Sequence, residues 1–146
     1  MVKVVIIDTG AIVAALCKRD EHHAWARRAM ESMENPCLTC EAVVSESFFL
    51  LEKAREGNDR LCAMLERGLI QVDYSIQEHL PETLRLIRQY RDTPMSFADA
   101  CLVRMVDTHS GASIWTTDQD FRIYRRRGKH EIPVIAPWDD RAFKGE

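Results

Sequence analysis

Five carboxylates occupy positions in the sequence from which they could take part in chemistry. Asp8 and Asp118 each follow an apolar segment typical of a buried strand, and Asp120 lies two residues after Asp118. Glu46 and Asp99 each lie in a segment whose apolar residues have helical spacing. Carboxylates that are brought together repel one another, and a divalent cation removes that repulsion. Oxygen ligands without His or Cys favour Mg²⁺ or Mn²⁺ over zinc, and such a cation can activate water and stabilise displacement at a phosphodiester.

The two helical segments predict that Glu46 and Asp99 point inward, because residues three and four apart share a helix face. The apolar residues that share the predicted face with Glu46 are Ala42, Val43, Phe49 and Leu50. Those that share a face with Asp99 are Leu102, Val103 and Val106. A lone carboxylate on an apolar face is unfavourable to bury as an anion, so two of them indicate a shared purpose.

Each acid also has a structural explanation, and the sequence leaves both explanations open. Asp99 lies three residues after Ser96, so the pair fits a capping box at a helix N-terminus, where an acid is also stabilised by the helix dipole. Asp8 could be a turn residue, and Asp118 could cap the helix that follows it. Glu46 could extend to solvent or pair with an arginine.

The elements that position these acids alternate between strands and helices, which predicts an α/β fold with a largely parallel sheet and one domain over residues 1–146. The predicted strands are 2–7, 36–39, 69–74, 112–117 and 132–137. The predicted helices are 10–17, 21–33, 41–55, one that follows a turn at 56–60 and ends at 65, 81–90 with Pro81 in its first turn, 96–108, and a short basic helix after 117. In such a sheet, ligands bind beyond the carboxyl ends of the strands, where Asp8 and Asp118 lie.

The triplet Asp8-Thr9-Gly10 is also the one with which an aspartic protease presents its catalytic carboxylate. Aspartic proteases are all-β and need two such triplets, whereas this sequence has one and is mostly helical in pattern. The alternation of strands and helices therefore disfavours a protease.

Composition limits the partners that the chain could have. Apolar residues make up 46% and charged residues 29% of the chain, which is ordinary for a globular domain. The formal net charge is −3, so any binding to phosphates must be local. The only dense basic run follows Asp118 and could contact RNA phosphates, cover a solvated face or meet an acidic partner. It comprises Arg122, Arg125, Arg126, Arg127 and Lys129.

The cellular compartment can be predicted from the sequence, and it bears on the state of the cysteine thiols. The sequence has neither a signal-peptide pattern nor a segment of transmembrane length, which predicts a cytoplasmic protein with reduced thiols. Cys37 and Cys40 form a Cys-x-x-Cys pair, which a redox site would use if one thiolate had a low pKa. A zinc site would need two further ligands at suitable spacing, which Cys62 and Cys101 do not offer. We therefore expect two packed thiols.

With these residues placed, the chain resembles PIN-domain proteins, of the kind typified by the VapC toxins of bacteria and archaea. The resemblance covers nearly the whole chain and rests on four segments in order, VVIIDTGAIVA, LTCEAVVSESFFLLEKA, YRDTPMSFADACLV and IWTTDQDFRIYRRRGK. One departure is Arg104-Met105-Val106, where the family usually has a small residue in the middle of the helix that carries Asp99.

The resemblance implies a three-layer α/β/α fold and Mg²⁺- or Mn²⁺-dependent cleavage of RNA by metal-bound water. It implies that the metal ligands are Asp8, Glu46, Asp99 and Asp118, with Asp120 as an accessory. It also implies a homodimer and a small antitoxin as a protein partner. The alternative is a non-catalytic binding module that keeps the fold and has no metal affinity. A phosphoacceptor receiver domain is disfavoured, because it would need paired acids after its first strand.

Overall fold

Strands and helices alternate along the chain, which is described over residues 3–34 and 36–139 of a computed structural model. The strands are β1 (Val4–Ile7), β2 (Cys37–Thr39), β3 (Ile70–Val72), β4 (Ala112–Trp115), β5 (Arg125–Arg126), β6 (His130–Glu131) and β7 (Val134–Ile135). The helices are α1 (Thr9–Leu16), α2 (His23–Glu31), α3 (Glu41–Leu51), α4 (Gly57–Glu66), α5 (Ile76–Gln89) and α6 (Phe97–Thr108). Residue 2 of the first predicted strand lies outside the described residues, and the prediction of one domain over residues 1–146 stays a prediction.

The strand that leads into Asp8 lies in the middle of a parallel sheet. β1 is an unbroken apolar run, the pattern of a strand covered on both faces, and Ile6 and Ile7 are buried. β1 pairs with β2 on one side and with β4 on the other, and the sheet has the order β3-β2-β1-β4-β7 with every pairing parallel. Helices flank this five-stranded sheet, which confirms the predicted α/β/α fold. The carboxyl ends of β1 and β4, followed by Asp8 and Asp118, therefore meet at one edge.

The helix that carries Asp99 is buried along almost its whole length. α6 contacts α5, α3, β4 and β1. The predicted inward face of this helix is confirmed, since Leu102, Val103 and Val106 are all buried with Asp99. A helix packed on several sides holds its side chains in fixed positions, as a preformed site requires.

Two predictions about where helices begin were wrong for identifiable reasons. The predicted turn at 56–60 is the start of α4, because the chain already turns over residues 52–56 and ends that turn at Glu56, with a left-handed backbone at φ 61 and ψ 8. Pro81 lies inside α5 rather than in its first turn. Its missing N–H leaves only the Gln77 carbonyl without a helical donor, and packing against α6 holds the helix across that gap.

The predicted basic helix is also wrong. After residue 117 the chain forms only a short 3₁₀ turn at Gln119–Arg122 and then the antiparallel pair β5 and β6. Gly128, at φ 73, lies in the turn of that hairpin, where a left-handed backbone favours glycine. In residues 3–34 and 36–139, the helices are too short or too polar to cross a membrane.

Candidate metal centre

Asp8 is held rigidly between the end of β1 and the start of α1. Its own N–H donates to the Trp115 carbonyl at 3.0 Å, which continues the pairing with β4. One carboxylate oxygen accepts from the Thr9 N–H at 2.7 Å, so that Asp8 caps α1. The other accepts from the Thr116 hydroxyl, also at 2.7 Å. The structural role is therefore real, and it leaves a buried carboxylate fixed at the edge of the sheet.

The glycine of the Asp-Thr-Gly triplet has a packing role. A Cβ atom at Gly10 would overlap the hydroxyl oxygen of Thr117. Only glycine lets the first turn of α1 approach the segment after β4 this closely. The triplet thus brings Asp8 to the residues that follow β4, which is a different use from the catalytic loop of an aspartic protease.

Asp99 is the third residue of α6 and forms the capping box that its spacing from Ser96 predicts. The Asp99 N–H donates to Ser96 Oγ at 3.0 Å, and Asp99 Oδ2 accepts from the Ser96 N–H at a longer 3.4 Å. The same oxygen accepts a shorter hydrogen bond, 2.9 Å, from the Tyr124 hydroxyl. Capping accounts for the position of Asp99 in the helix, but it does not account for the other acids that face it.

Asp118 and Asp120 approach from the loop after β4. The Asp118 N–H donates to Thr116 Oγ1 at 2.9 Å, and Asp118 Oδ1 accepts from the Asp120 N–H at 2.8 Å. Asp118 therefore caps the 3₁₀ turn, which is the structural explanation that its sequence position left open, and Asp120 lies in the first turn. Thr116 donates to Asp8 and accepts from Asp118, so it links two of the acids directly.

The acids converge on one small volume. Asp99, Asp118 and Asp120 can each offer a carboxylate oxygen within 4.8 Å of the others. Asp8 lies close enough to interact electrostatically with both Asp99 and Asp118. The structure thus brings together acids that are more than 100 residues apart in the sequence.

The protonation of these groups reflects their burial and mutual repulsion. Burial, opposed by hydrogen bonds and reinforced by Asp99 and Asp118, raises the pKa of Asp8 from 3.8 to about 7. Burial also raises the pKa of Asp99, with the Asp118 charge acting in the same direction. The pKa of Asp120 is raised by loss of hydration and then by Asp118. Within the described residues, none of the ion pairs below 4.0 Å involves any of these acids.

Glu46 does not lie where its helix pattern predicted. On α3 the buried face runs through Val43, Ser47 and Leu51, and Glu46 is exposed. Phe49 and Leu50 of the predicted apolar stripe are 71% and 49% exposed. The apolar pattern predicted the wrong helix face because a polar residue, Ser47, lies in the buried face. Its hydroxyl is satisfied there, since it donates to the Val43 carbonyl at 2.7 Å. Glu46 is outside the group of acids that approach within 4.8 Å.

Two residues of the site were missed from the sequence. Thr116 stands two residues before Asp118, a spacing at which a threonine hydroxyl commonly accepts from a backbone N–H, so a local signal was present. Tyr124 had no such signal, because its partner Asp99 lies 25 residues away. Burial, and then the Asp99 charge, raises the pKa of the Tyr124 hydroxyl, so this group stays a donor to Asp99.

The basic run is divided between structural and exposed positions. The Arg125 guanidinium donates to the carbonyls of Arg122, Ile123 and Tyr124 at 2.8–3.2 Å. Arg122 lies 6.0 Å from the Trp138 ring and donates to Gln119. The exposed members with no such contact are Arg127 and Lys129 at the hairpin. Fewer cations of this run are therefore available for phosphates than the sequence suggests.

Cys37 and Cys40 are free and buried, as predicted for packed thiols. They do not face one another. Cys37 donates to Met33 Sδ at 3.6 Å, and burial raises the pKa of its thiol to about 12. Cys40 is paired with Cys101, whose hydrogen bond holds the pKa of the Cys40 thiol below its ordinary value. The two thiols of the Cys-x-x-Cys spacing therefore have different hydrogen-bond partners in this fold.

Comparison with known protein families agrees with this arrangement. The profile of the PIN domain matches residues 5–127, which is most of the chain and includes all five predicted acids. The chain belongs to the PIN domain family. A search of functionally curated proteins finds no match.

Among solved structures, this PIN domain is similar to a toxin of Mycobacterium tuberculosis, VapC20, described as cleaving the sarcin-ricin loop. The superposition has a TM-score of 0.72 and covers 80% of this chain and 91% of the toxin. Sequence identity is 17%, so the likeness establishes a shared fold.

Proposed function

We propose that this PIN domain is a metal-dependent ribonuclease. The observation that carries the proposal is the convergence of Asp8, Asp99, Asp118 and Asp120 at the carboxyl edge of the sheet, where none of them forms an ion pair with a cation of residues 3–34 or 36–139. Buried acids with raised pKa values are typical of functional sites. The toxin activity of VapC20 and the family membership support RNA as the substrate class.

The donor set fits Mg²⁺ or Mn²⁺. It consists of carboxylate oxygens, which such ions prefer, and hydrogen bonds from Thr116 and Tyr124 fix the orientation of two of them. Asp99, Asp118 and Asp120 would hold the ion, with Asp8 beside them. A bound ion would supply an activated water and stabilise charge at the phosphodiester. The chain itself contributes preformed ligands, so little reorganisation accompanies binding.

Glu46 stays a proposed ligand on the resemblance alone. Its helix packs against α1, which Asp8 caps, and against α6, which carries Asp99. Because Glu46 is exposed, we propose that it acts at the rim of the site rather than within the cluster.

A cleavage assay tests the proposal. Purified protein is incubated with mixed RNAs in Mn²⁺, in Mg²⁺ and in a chelator, beside Asp99→Asn, Asp118→Asn and Glu46→Gln. We expect cleavage only with metal, its loss in both aspartate variants, and a smaller effect at Glu46. Cleavage that persists in the chelator or in every variant would contradict the proposal. Metal binding without cleavage of any RNA would favour the non-catalytic binding module.

Two partners are proposed on the family resemblance. One is a small antitoxin; expression in a bacterial host should slow growth, and Asp99→Asn should relieve the effect. Equal growth with both proteins would count against a toxin but not against the nuclease. The other is a second copy of the chain, for which Phe49 offers an exposed apolar side chain. Sedimentation of the wild type and of Phe49→Ser measures whether a dimer forms and whether that side chain is part of it.

A further inference from the structure

A second cluster of cations, formed from three separate parts of the chain, lines a cleft away from the basic run. The cleft has a volume of about 700 Å³ and lies where the C-terminal ends of α1 and α3 meet the start of α4. Its charged lining residues are Lys18, Arg19, Lys53, Arg55, Arg60 and Glu56. No sequence pattern reveals this cluster, because its members are spread over more than 40 residues.

The fold explains how these cations come together. α1 ends at Leu16 and α3 ends at Leu51. The residues that follow these two helix ends, 18–19 and 53–55, line the same cleft. The left-handed backbone at Glu56 then returns the chain into α4. Cations after a helix C-terminus stabilise the helix dipole. This effect explains why cations follow the C-terminal end of each helix, but it does not explain why the cations of both helices line one cleft.

The charge of this cleft is largely uncompensated. Among the described residues that line it, Glu56 is the one acid, and it pairs with Arg60 at 3.5 Å. In the described part of the chain, Lys18, Arg19, Lys53 and Arg55 belong to none of the ion pairs below 4.0 Å. All four are exposed. In a protein with a net charge of −3, four unpaired cations around one cleft indicate an anionic ligand.

The cleft is connected to the acid cluster by the two helices that border it. Asp8 caps the N-terminus of α1, and Leu16 at the cleft lies eight residues later, a rise of about 12 Å. Along a nucleic-acid strand, at about 3.4 Å per nucleotide, that distance corresponds to three or four nucleotides. On α3, Leu50 in the cleft lies one turn after Glu46. A strand that runs from the acids over the exposed side of α3, past Glu46 and Leu50, would therefore meet these cations within a few nucleotides.

We propose that this cleft binds the phosphate backbone of the RNA substrate a few nucleotides away from the scissile position. The inference rests on the proposed ribonuclease function. The acid cluster repels a polyanion, so cations elsewhere must hold the strand, and Arg125 of the basic run is occupied by backbone carbonyls. Arginine guanidinium groups match phosphate oxygens with paired hydrogen bonds, and the apolar floor formed by Leu16, Leu50 and Ala54 offers a surface for a base or ribose.

The salt dependence of RNA binding tests this proposal. Binding of a fluorescent, short single-stranded RNA of mixed sequence is measured by anisotropy at several salt concentrations, in a chelator that prevents cleavage. Two cleft variants are compared with the wild type, K18Q with R19Q and K53Q with R55Q. Each lost phosphate contact lowers the magnitude of the salt slope by about 0.7, so each pair should lower it by up to about 1.4. The matched control, R88Q with R91Q, removes two exposed cations from α5 and the turn after it and should leave the slope unchanged.

The outcomes separate this inference from the proposed function. An unchanged slope in both cleft variants, or an equal fall in the control, overturns the RNA contact. Loss of polyglutamate binding in the cleft variants with an unchanged RNA slope also overturns it, in favour of an acidic protein segment. The same RNA is then incubated with wild type in Mn²⁺. Cleavage of the RNA together with an unchanged salt slope in the cleft variants refutes only the phosphate contact at the cleft. An RNA that is neither bound nor cleaved refutes both the proposed nuclease activity and the contact at the cleft.

Discussion

Replacing Asp8 by Asn removes the most buried carboxylate of the described site with little change in shape. Asp8 is 5% exposed, and burial is the main reason that its pKa rises from 3.8 to about 7. One tenfold change in a proton equilibrium is about 1.4 kcal/mol. Ionising Asp8 in the folded protein therefore costs about 4 kcal/mol more than ionising it in the unfolded chain.

The direction in which the stability of the fold changes with pH follows from the pKa of Asp8 in the folded and unfolded states. In the unfolded chain Asp8 loses its proton near pH 3.8, whereas in the folded protein it keeps the proton until about pH 7. Between these values the folded state binds more protons, so the free energy of unfolding falls as pH rises. Below pH 3.8 both states are protonated and the penalty is absent, and above about pH 7 it is complete.

Asn at this position loses one acceptor oxygen for the donors Thr9 and Thr116, which costs about 1 kcal/mol. In a chelator at pH 8, Asp8→Asn should therefore be about 3 kcal/mol more stable than the wild type, or about 9 °C higher in melting temperature. At pH 4 the two proteins should be equally stable, or the wild type should be the more stable of the two. Urea denaturation at both pH values measures the difference, with Asp92→Asn as a control at an exposed turn. A variant that is less stable by the same amount at both pH values would mean that Asp8 only caps α1.

Three further predictions concern single contacts. Tyr124→Phe removes the hydrogen bond to Asp99 and should weaken Mn²⁺ affinity about tenfold in a calorimetric titration; unchanged affinity would make the tyrosine a packing residue. Gly10→Ala should lower stability by about 1–3 kcal/mol in urea denaturation, and a second change, Thr117→Ala, should restore much of it; no rescue would contradict the overlap. Arg125→Gln should lower stability by about 1 kcal/mol, because its guanidinium donates to three carbonyls, and an unchanged urea midpoint would return this residue to a role in RNA binding.

The sequence predicted the edge of the site well because strands β1 and β4 are short, apolar and followed by an acid. In a parallel sheet, the ends of neighbouring strands must meet, so Asp8 and Asp118 were placed together by topology alone. Asp99 was placed by two independent patterns, the capping box and the inward face of α6. Both patterns hold, since a carboxylate can cap a helix with one oxygen and still face other acids.

Glu46 was misplaced because a helix pattern gives the direction of a face only when most apolar residues are buried. α3 exposes Phe49 and buries Ser47, so the apparent stripe and the real contact surface differ. Which helix face is covered depends on its neighbours, and a single helix carries no information about them. The same limit applies to Pro81, whose preference for a first turn was outweighed by packing of α5 against α6.

Contacts between distant side chains were the part that no local pattern could supply. The pairing of Cys40 with Cys101, the hydrogen bond from Tyr124 to Asp99 and the cationic cleft all join segments that meet only in the folded chain.

A calorimetric titration of Mn²⁺ into the metal-free protein measures whether these acids form a site for a divalent cation. We expect a saturable binding heat for the wild type, an affinity at least tenfold weaker for Asp99→Asn, and an unchanged affinity for Asp92→Asn. Absence of binding heat at millimolar Mn²⁺, or equal affinity in wild type and Asp99→Asn, would contradict the account and leave the acids as caps of α1, α6 and the 3₁₀ turn.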